Sequence, residues 1–261
     1  MIKKEIEKFT DSDILEGMPS ISALIKGIAN IGNNRKILKI LFDCSKIRQK
    51  SRELSFLRAK SIELGFDIEL VDASVIDSYT IGNTHGGVIA LCTPRTLPSL
   101  DEASITENGV YFILEGVEDP YNFGYAVRSL YAAGVDGIIL GQRNWMGAAG
   151  VVARSSAGAS EMMNMYVSEY VDAVSTFKNK GYKVVCAGIR DSESIFDTDL
   201  SSPLLVILGG EKRGISRNIL DISDKIVRID YGSEFGGSLS TSAAAAVFGF
   251  EILRYNRNFK K

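Results

Sequence analysis

The chain has 261 residues, of which 45% are hydrophobic and 24% charged, and its formal net charge is −2. These values predict a globular protein of two ordinary domains, and no apolar run approaches the ~20 residues that a membrane-spanning helix needs. One histidine, His85, and three widely spaced cysteines exclude multi-histidine zinc, four-cysteine zinc and a disulfide framework. We therefore expect a cytoplasmic protein with reduced thiols, no bound metal and no membrane partner.

Charge is unevenly distributed along the chain. Residues 1–60 contain 13 Lys and Arg against 7 Asp and Glu, a net charge of +6, whereas the remainder contains 17 against 25, a net charge of −8. Contacts of lysine and arginine with phosphates supply most non-specific affinity for nucleic acids, so the basic part fits a polyanionic partner. A solvated helix face explains the same residues, and charge alone leaves both interpretations open.

The first third of the chain alternates helical and extended patterns. One short helix is expected within the polar residues 1–19, and apolar residues recur at helical spacing over 20–29. A longer basic helix is expected over 46–64. Extended apolar runs predict strands over 37–42, 66–71 and 87–92. This alternation predicts a compact α/β domain at 1–93, and the segment 94–107, with two of the five prolines, is the best linker candidate.

The remaining residues, 108–261, predict a second and larger α/β domain. Strands are expected over 110–114, 137–140, 183–187, 204–208 and 225–229, with a weaker pattern over 163–167. Helices are expected over 123–133, 170–180 and 240–255. Such alternation is typical of an open, mostly parallel sheet covered by helices on both faces.

A polar turn follows the first strand of this second domain. Asp119-Pro120 ends the strand, because proline lacks an N–H and disfavours helical geometry in the residue before it. Asn122 lies near the start of the next helix, and Arg128 lies six residues later, roughly 120° around the helix on the face beside the sheet's end. Open α/β sheets bind ligands at such turns. Arg128 suits a phosphate or an activated hydroxyl, although both residues could merely cap the helix and balance charge.

A second turn follows the strand over 204–208. Gly209-Gly210 ends the strand and permits positive φ and close approach of the backbone to a ligand. Glu211 and Gly214 follow, and Glu211 favours a binding site over a bare turn. The stretch is neither a Walker loop nor a Gly-x-Gly-x-x-Gly fingerprint, which argues against a nucleotide-binding oxidoreductase.

A third turn, beginning at Gly236-Gly237, leads into a helix whose first turns contain almost only small residues. The four alanines after Ser242 are explained by a plain core helix that packs closely against a sheet or a partner chain. A plain core helix does not explain why four hydroxyls are crowded at the helix entry, namely those of Ser238, Ser240, Thr241 and Ser242. Free N–H groups at a helix entry can bind a ligand.

Together and in this order, the three turns resemble the SpoU (TrmH) family of RNA ribose 2′-O-methyltransferases in the SPOUT superfamily. The matching residues are Asp119-Pro-x-Asn122-x-Gly124 with Arg128, Leu208-Gly-x-Glu211-x-x-Gly214, Ser238-Leu239 before a small-residue helix, and a Ser156-Ala-Gly-Ala159 turn. The resemblance implies S-adenosylmethionine-dependent methylation of structured ribosomal or transfer RNA. It also implies a trefoil-knotted α/β domain, an exception to unknotted topology, and a homodimer that packs partly through the terminal helix.

The resemblance further assigns roles to individual residues. Arg128 would help to deprotonate the ribose 2′-OH, and the active-site loops and substrate would be held by Asn122, Glu211 and Ser238, with Ser240 at a further active-site position. The bent cofactor would be contacted by Leu208, Gly209, Gly210, Gly214, Ile229, Ser238 and Leu239. The segment 1–93 looks like an L30e-like RNA-binding domain, in which His85 is either a turn residue or an RNA contact.

Two departures from the family pattern bear on activity. Ser240 stands where the family usually has Asn, and Asp230-Tyr231 stands where it usually has Pro-Met. Asp230 could contact the ligand or face solvent. An alternative hypothesis is therefore a family member that binds RNA without methylating it.

Overall fold

The structure is a computed structural model that describes residues 13–80, 84–142 and 145–258. Contacts divide the chain into two compact units. Unit 1 comprises the described residues of 1–96 and 145–162, and unit 2 those of 97–144 and 163–261. The division predicted at 94–107 stays a prediction. Attachment of 145–162 to the first unit was not expected from sequence, and most of the helix expected within 1–19 lies outside the described residues.

The strands and helices of the described residues follow one another in regular alternation. The strands are β1 (Ile14–Glu16), β2 (Ile37–Asp43), β3 (Asp67–Val71), β4 (Val88–Cys92), β5 (Val110–Glu115), β6 (Gly137–Leu140), β7 (Met165–Val167), β8 (Lys183–Ala187), β9 (Glu193–Ser194), β10 (Leu204–Gly209) and β11 (Lys225–Arg228). The α-helices are α1 (Gly17–Ile31), α2 (Ser51–Leu64), α3 (Ala73–Asp77), α4 (Pro120–Ala132), α5 (Ala149–Ser155), α6 (Ala159–Met162), α7 (Tyr170–Asn179), α8 (Arg217–Ile222) and α9 (Thr241–Asn258). Short 3-10 helices span Cys44–Lys46, Leu100–Glu102 and Trp145–Ala148.

Unit 1 is built on a four-stranded mixed sheet in the order β1-β4-β2-β3. β4 is antiparallel to both of its neighbours, and β2 and β3 are parallel. α1 buries Ile21, Leu24 and Ile25 against one face, as the helical spacing of its apolar residues predicts. It ends at Gly32, whose φ of 64° is a conformation that glycine adopts at little cost.

α5 and α6 also belong to unit 1, and α6 packs on α1 almost backbone to backbone. A Cβ atom at Gly27 would lie 2.0 Å from the carbonyl oxygen of Glu161. Around this contact lies a buried polar group: the Glu161 carboxylate accepts from Asn33 at 2.9 Å and lies 3.5 Å from Nε of Arg35. The side chains of Arg35 and Glu161 are only 1% and 3% exposed. Glu161 therefore fixes the contact between α6 and α1 through both its backbone and its carboxylate.

Unit 2 is built on a seven-stranded sheet in the order β7-β6-β5-β10-β8-β11-β9, and every described pairing in it is parallel. β5, β10 and β8 form its centre, and Leu204–Leu208 of β10 are fully buried. Continuous apolar runs are expected where helices cover both faces of a parallel sheet. The predicted fold class, an α/β protein with a mostly parallel sheet, is confirmed.

Candidate active site

The first site element is the turn between β5 and α4. The Asp119 carboxylate accepts the N–H of Tyr121 at 2.9 Å and caps the helix, while Pro120 occupies its first turn, where its missing N–H costs nothing. Asn122 follows in that turn and donates from Nδ2 to Oε1 of Glu211 at 2.9 Å. The sequence placed these two residues in separate turns, 89 positions apart, and the fold joins them directly.

The second element is the tight turn after β10. Gly214 donates its N–H to the carbonyl of Gly210 at 2.9 Å. A Cβ at Gly210 would lie 2.0 Å from the carbonyl oxygen of Gly116, and one at Gly209 would lie 2.4 Å from the carbonyl carbon of Gly214. Positive φ was expected for the glycine pair, but it occurs at Gly214, where φ is 64°. The pair instead allows two turns to touch through their backbones.

The third element is the entry to α9. The buried Thr241 donates its hydroxyl to the carbonyl of Gly209 at 2.9 Å, which ties this helix to the end of β10. Ser240 caps the helix: its hydroxyl accepts the N–H of Ala243 at 3.2 Å and lies 3.0 Å from the hydroxyl of Ser242. The crowded hydroxyls predicted as a ligand site thus include two that hold the helix entry in place.

The second and third of these turns, together with the segments that follow β8 and β11, line a cavity of about 730 Å³ at the carboxyl end of the sheet. The seven residues that the sequence proposed for cofactor binding all line it, namely Leu208, Gly209, Gly210, Gly214, Ile229, Ser238 and Leu239. Its volume lies within the range of ~300–1,000 Å³ common for small-molecule sites. Whether the seven residues contact a cofactor stays a prediction.

A second, smaller cavity of about 300 Å³ adjoins these turns. Its walls include the polar side chains of Asp119, Asn122 and Lys212. Glu211 and Thr241 line both cavities. The shared walls place the Asn122–Glu211 hydrogen bond at the boundary between the two cavities.

Arg128 and Ser240, which the sequence proposed as catalytic, do not line either cavity in the described part of the chain. Arg128 is exposed on the outer face of α4, and its guanidinium forms no ion pair with a described residue. The position beside the sheet's end, expected for Arg128 from its spacing to Asn122, stays a prediction. Ser238, by contrast, lines the large cavity.

The rim of the two cavities is strongly charged. Arg190, Arg213, Arg217 and Arg228 line the large one. Beside the small one, Lys212 pairs with Glu118 and, by its hydrogen bond and its charge, holds the pKa of that exposed carboxyl below its ordinary value. The cations suit an anionic ligand, and Glu211 supplies a carboxylate to the same space.

Sequence reasoning missed one wall of the large cavity. The loop after β8, with Gly188, Ile189, Arg190 and Asp191, lines it, and the N–H of Gly188 bonds to the carbonyl of Val227 at 3.0 Å. The strand over 183–187 was predicted, and ligands bind beyond the carboxyl ends of parallel strands. That rule, applied to β8, would have pointed to this loop.

His85 is buried in unit 1 and serves its own turn. Its Nδ1 accepts the N–H of Gly87 at 3.0 Å, and its Nε2 lies 3.1 Å from a carboxylate oxygen of Asp77. These contacts fit the interpretation as a turn histidine.

Across residues 13–80, 84–142 and 145–258, no group of His, Cys, Asp and Glu is arranged to hold a metal ion. None of the helices in the described part of the chain is long and apolar enough to span a membrane. Fold and site together define an α/β protein with a mostly parallel sheet and two adjoining cavities, which are formed by the segments that follow the strands at the carboxyl edge of that sheet.

Comparison with known proteins identifies the family. The SpoU rRNA Methylase family matches residues 109–250, more than half of the chain, and the protein belongs to this family. The 23S rRNA (guanosine-2′-O-)-methyltransferase RlmB of Shewanella oneidensis is 28% identical over 252 residues, covering 94% of this chain and 98% of its own. A putative TrmH family tRNA/rRNA methyltransferase of Staphylococcus saprophyticus is 29% identical, covering 74% and 78%.

The fold has solved counterparts. An AdoMet-bound rRNA methyltransferase from Sinorhizobium meliloti superposes with a TM-score of 0.75 at 21% identity, over 93% of this chain and 87% of that one. The SpoU methyltransferase AviRb of Streptomyces viridochromogenes, in complex with AdoMet, superposes with a TM-score of 0.74 at 20% identity, over 95% and 91%. The family predicted from the ordered motifs is therefore confirmed.

Proposed function

We propose that the protein transfers a methyl group from S-adenosylmethionine to a ribose 2′-hydroxyl of structured ribosomal or transfer RNA. The observation that carries this is the pair of adjoining cavities that share Glu211 and Thr241 as walls. The larger is sized for the cofactor and the smaller for a polar sugar. Membership of the SpoU family and full-length similarity to a guanosine-2′-O-methyltransferase support the same reaction.

The residues of the large cavity fit S-adenosylmethionine. Leu208, Ile229 and Leu239 offer apolar surface for an adenine ring, and the Glu211 carboxylate suits a sulfonium cation. Guanidinium groups at the rim suit the carboxylate of the methionine part. When bound, the cofactor supplies an electrophilic methyl group.

The protein's own contribution is orientation. Methyl transfer requires the hydroxyl oxygen in line behind the methyl–sulfur bond, and correct orientation alone can supply ~7–11 kcal/mol of the barrier. The Asn122–Glu211 hydrogen bond holds the wall between the two cavities, and Thr241 anchors the same wall to Gly209. Loss of Asn122 would leave Glu211 free to turn and misalign the two reactants.

We assign to Arg128 the role of stabilising the negative charge that develops on the 2′-oxygen. A guanidinium stays protonated at neutral pH, so it stabilises an alkoxide or acts through an RNA phosphate rather than accepting a proton itself. In one chain, Arg128 is exposed and lines neither cavity among the described residues. We therefore assign it to the cavity of a second copy.

A homodimer that packs through unit 2 would bring Arg128 of one copy to the cavity of the other. α4 and α9 pack closely, since a Cβ at Gly249 would lie 3.3 Å from Cδ2 of Leu130. Large aromatic side chains on the same helices stay exposed: Tyr121 at 44%, Tyr125 at 47% and Phe250 at 49%. Exposed aromatic surface of this kind marks protein interfaces. The trefoil knot implied by the family belongs to the same proposal.

The dimer is tested by sedimentation of wild-type protein and of Tyr125→Glu. We expect a dimer for the first and a monomer for the second, with methyl transfer falling at least tenfold because Arg128 then reaches no cavity. Ile62→Glu, which changes an apolar side chain that is 87% exposed on α2 of unit 1, is the control and should stay dimeric. A monomeric wild-type protein that remained active would end the assignment of Arg128.

Unit 1 is assigned to RNA binding. α2 and the residues before it carry Lys46, Arg48, Arg52 and Arg58, and Arg48, Arg52 and Arg58 are exposed. Their charges suit phosphates of a folded RNA. The assignment agrees with the L30e-like domain predicted at 1–93.

The reaction is tested in two steps. Calorimetry with S-adenosylmethionine should show binding, and no detectable binding at millimolar ligand would overturn the proposal. Incubation with ribosomal or transfer RNA and radiolabelled cofactor should then place label on a ribose, and Arg128→Ala should abolish it. Mapping of 2′-O-methyl positions in RNA from cells with and without the protein identifies the nucleotide.

One observation favours a second candidate, RNA binding without methylation. Ser240 stands where the family usually has Asn, and its hydroxyl is engaged in capping α9. Cofactor binding without label on RNA would select this candidate. Label on a ribose would remove it.

A further inference from the structure

The segment that follows β11 contains two residues that differ from the usual family pattern. Both make contacts that join separate walls of the large cavity. They are Asp230 and Tyr231. Tyr231 lines the cavity, whereas Asp230 is not among its described lining residues. The contacts of each residue therefore decide whether this departure disturbs the site or supports it.

Asp230 links its own segment to the loop after β8. Its carboxylate accepts from Nε of Arg228 at 2.7 Å, and Nη1 of Arg228 donates to the carbonyl of Ser192. The Ser194 hydroxyl, and then Arg228, hold the pKa of this carboxyl below its ordinary value. Ser192 closes the loop that carries Arg190 into the cavity. Through Arg228, Asp230 thus fixes the wall that sequence analysis missed.

Tyr231 links the same segment to the loop before α9. Its hydroxyl accepts the N–H of Leu239 at 3.2 Å, across eight residues of chain. Its ring lies 5.8 Å from that of Phe235, at an angle of 54°. This contact closes the glycine-rich loop, which is exposed from Tyr231 to Ser238. Leu239 also lines the cavity, so the hydroxyl of Tyr231 holds a second wall.

We propose that Asp230 and Tyr231 are positioning residues, which brace the loops at 188–192 and 232–239 against the end of β11 and thereby hold the cofactor cavity open in its binding shape. The inference rests on the proposed function for the identity of the ligand, while the contacts themselves belong to the chain alone. A flexible, glycine-rich loop must otherwise lose its conformational freedom on binding, which weakens affinity.

The brace is tested with Tyr231→Phe, which keeps the ring and removes only the hydroxyl, and with Asp230→Asn, which keeps the shape and removes the charge. Loss of one such hydrogen bond should weaken S-adenosylmethionine binding roughly 3- to 10-fold in calorimetry. The KM for the cofactor should rise by the same factor while kcat at saturating cofactor is unchanged, because only loop ordering is lost. Amide exchange at Leu239, followed by NMR on leucine-labelled protein without cofactor, should accelerate in Tyr231→Phe.

Two controls match these changes. Tyr255→Phe removes a hydroxyl on α9 that donates to the carboxylate of Asp199. Asp172→Asn neutralises an exposed carboxylate on α7. Both should leave the cofactor affinity and Leu239 exchange as in the wild type. Unchanged exchange at Leu239 in Tyr231→Phe, or cofactor affinities within twofold of the wild type in both variants, would overturn the inference. Should the wild type bind no cofactor, the proposed function fails and the exchange measurement still decides the brace.

Discussion

Each unit contains a glycine at which two stretches of backbone come into close contact, and the two contacts differ in their surroundings. In unit 1, Gly27 lets α6 approach α1, and a Cβ there would lie 2.0 Å from the Glu161 carbonyl oxygen. In unit 2, Gly210 lets the turn after β10 approach Gly116, and a Cβ at Gly210 would likewise lie 2.0 Å from the Gly116 carbonyl oxygen. The first contact is surrounded by buried groups, whereas the second opens onto two cavities.

The difference lies in the carboxylate beside each glycine. Glu161 is buried and its charge is met by Asn33 and Arg35. Glu211 is exposed and accepts one hydrogen bond from Asn122. A buried charge depends on its partners for the stability of the fold, while an exposed one can lose them at little cost. Similar backbone contacts therefore support structure in unit 1 and a reactive site in unit 2.

The sharpest test of this comparison replaces each carboxylate. Glu161→Ala removes the carboxylate that lies beside the buried Arg35 guanidinium, so the free energy of unfolding should fall by about 3–5 kcal/mol. Glu211→Ala should lower it by at most about 1 kcal/mol but reduce methyl transfer strongly. Urea unfolding and the radiolabel assay measure the two effects. Equal losses of stability would break the comparison.

The next test adds one methyl group to each glycine. In both Gly27→Ala and Gly210→Ala the new Cβ meets backbone that cannot move aside, and overpacking of this kind costs about 1–3 kcal/mol. We expect similar shifts in unfolding midpoint, with cofactor binding lost only in Gly210→Ala. Gly147→Ala, where a Cβ meets nothing within 4 Å, is the control. Cofactor binding that survives in Gly210→Ala would show that the turn does not shape the cavity.

The smallest effect concerns the exposed pair Glu118–Lys212 at the rim of the small cavity. Lys212 lowers the pKa of Glu118 in the folded protein, so the pair contributes stability above the carboxyl's unfolded pKa and loses it as pH falls through the folded value. Lys212→Ala should raise the Glu118 titration midpoint in a carbon-detected NMR titration. The unfolding midpoint at neutral pH should hardly change, because solvent screens exposed pairs. A large loss of stability in Lys212→Ala would contradict the comparison, because it would show that this exposed pair stabilises the fold as the buried Glu161 does.

Sequence patterns predicted the fold where they were long and regular. The strands β5, β6, β8 and β10 lie within a residue of their expected bounds, because continuous apolar runs are typical of a covered parallel sheet. β1 has three residues, and α5 and α6 have seven and four, too few to show a period. Such short elements are fixed by packing, which a sequence pattern does not record.

The site was predicted as three turns that together form one pocket, but the individual contacts between the turns were not predicted. Glycines and polar residues at strand ends indicated each turn, but the contact of Asn122 with Glu211 depends on which strands become neighbours. The role of Gly209 and Gly210 was assigned to a ligand, since sequence does not distinguish a ligand from another stretch of backbone. Arg128 shows the same limit, because its surroundings depend on how the chain folds.

The bond from Thr241 to Gly209 has a consequence for how the protein is made. The walls of the large cavity come from β8, β10, β11 and α9, and the last of these leaves the ribosome after all the others. A nascent chain that stops before α9 has its central strands but lacks the final side of the pocket. The large cavity is therefore complete only after translation has passed Phe248 of this helix.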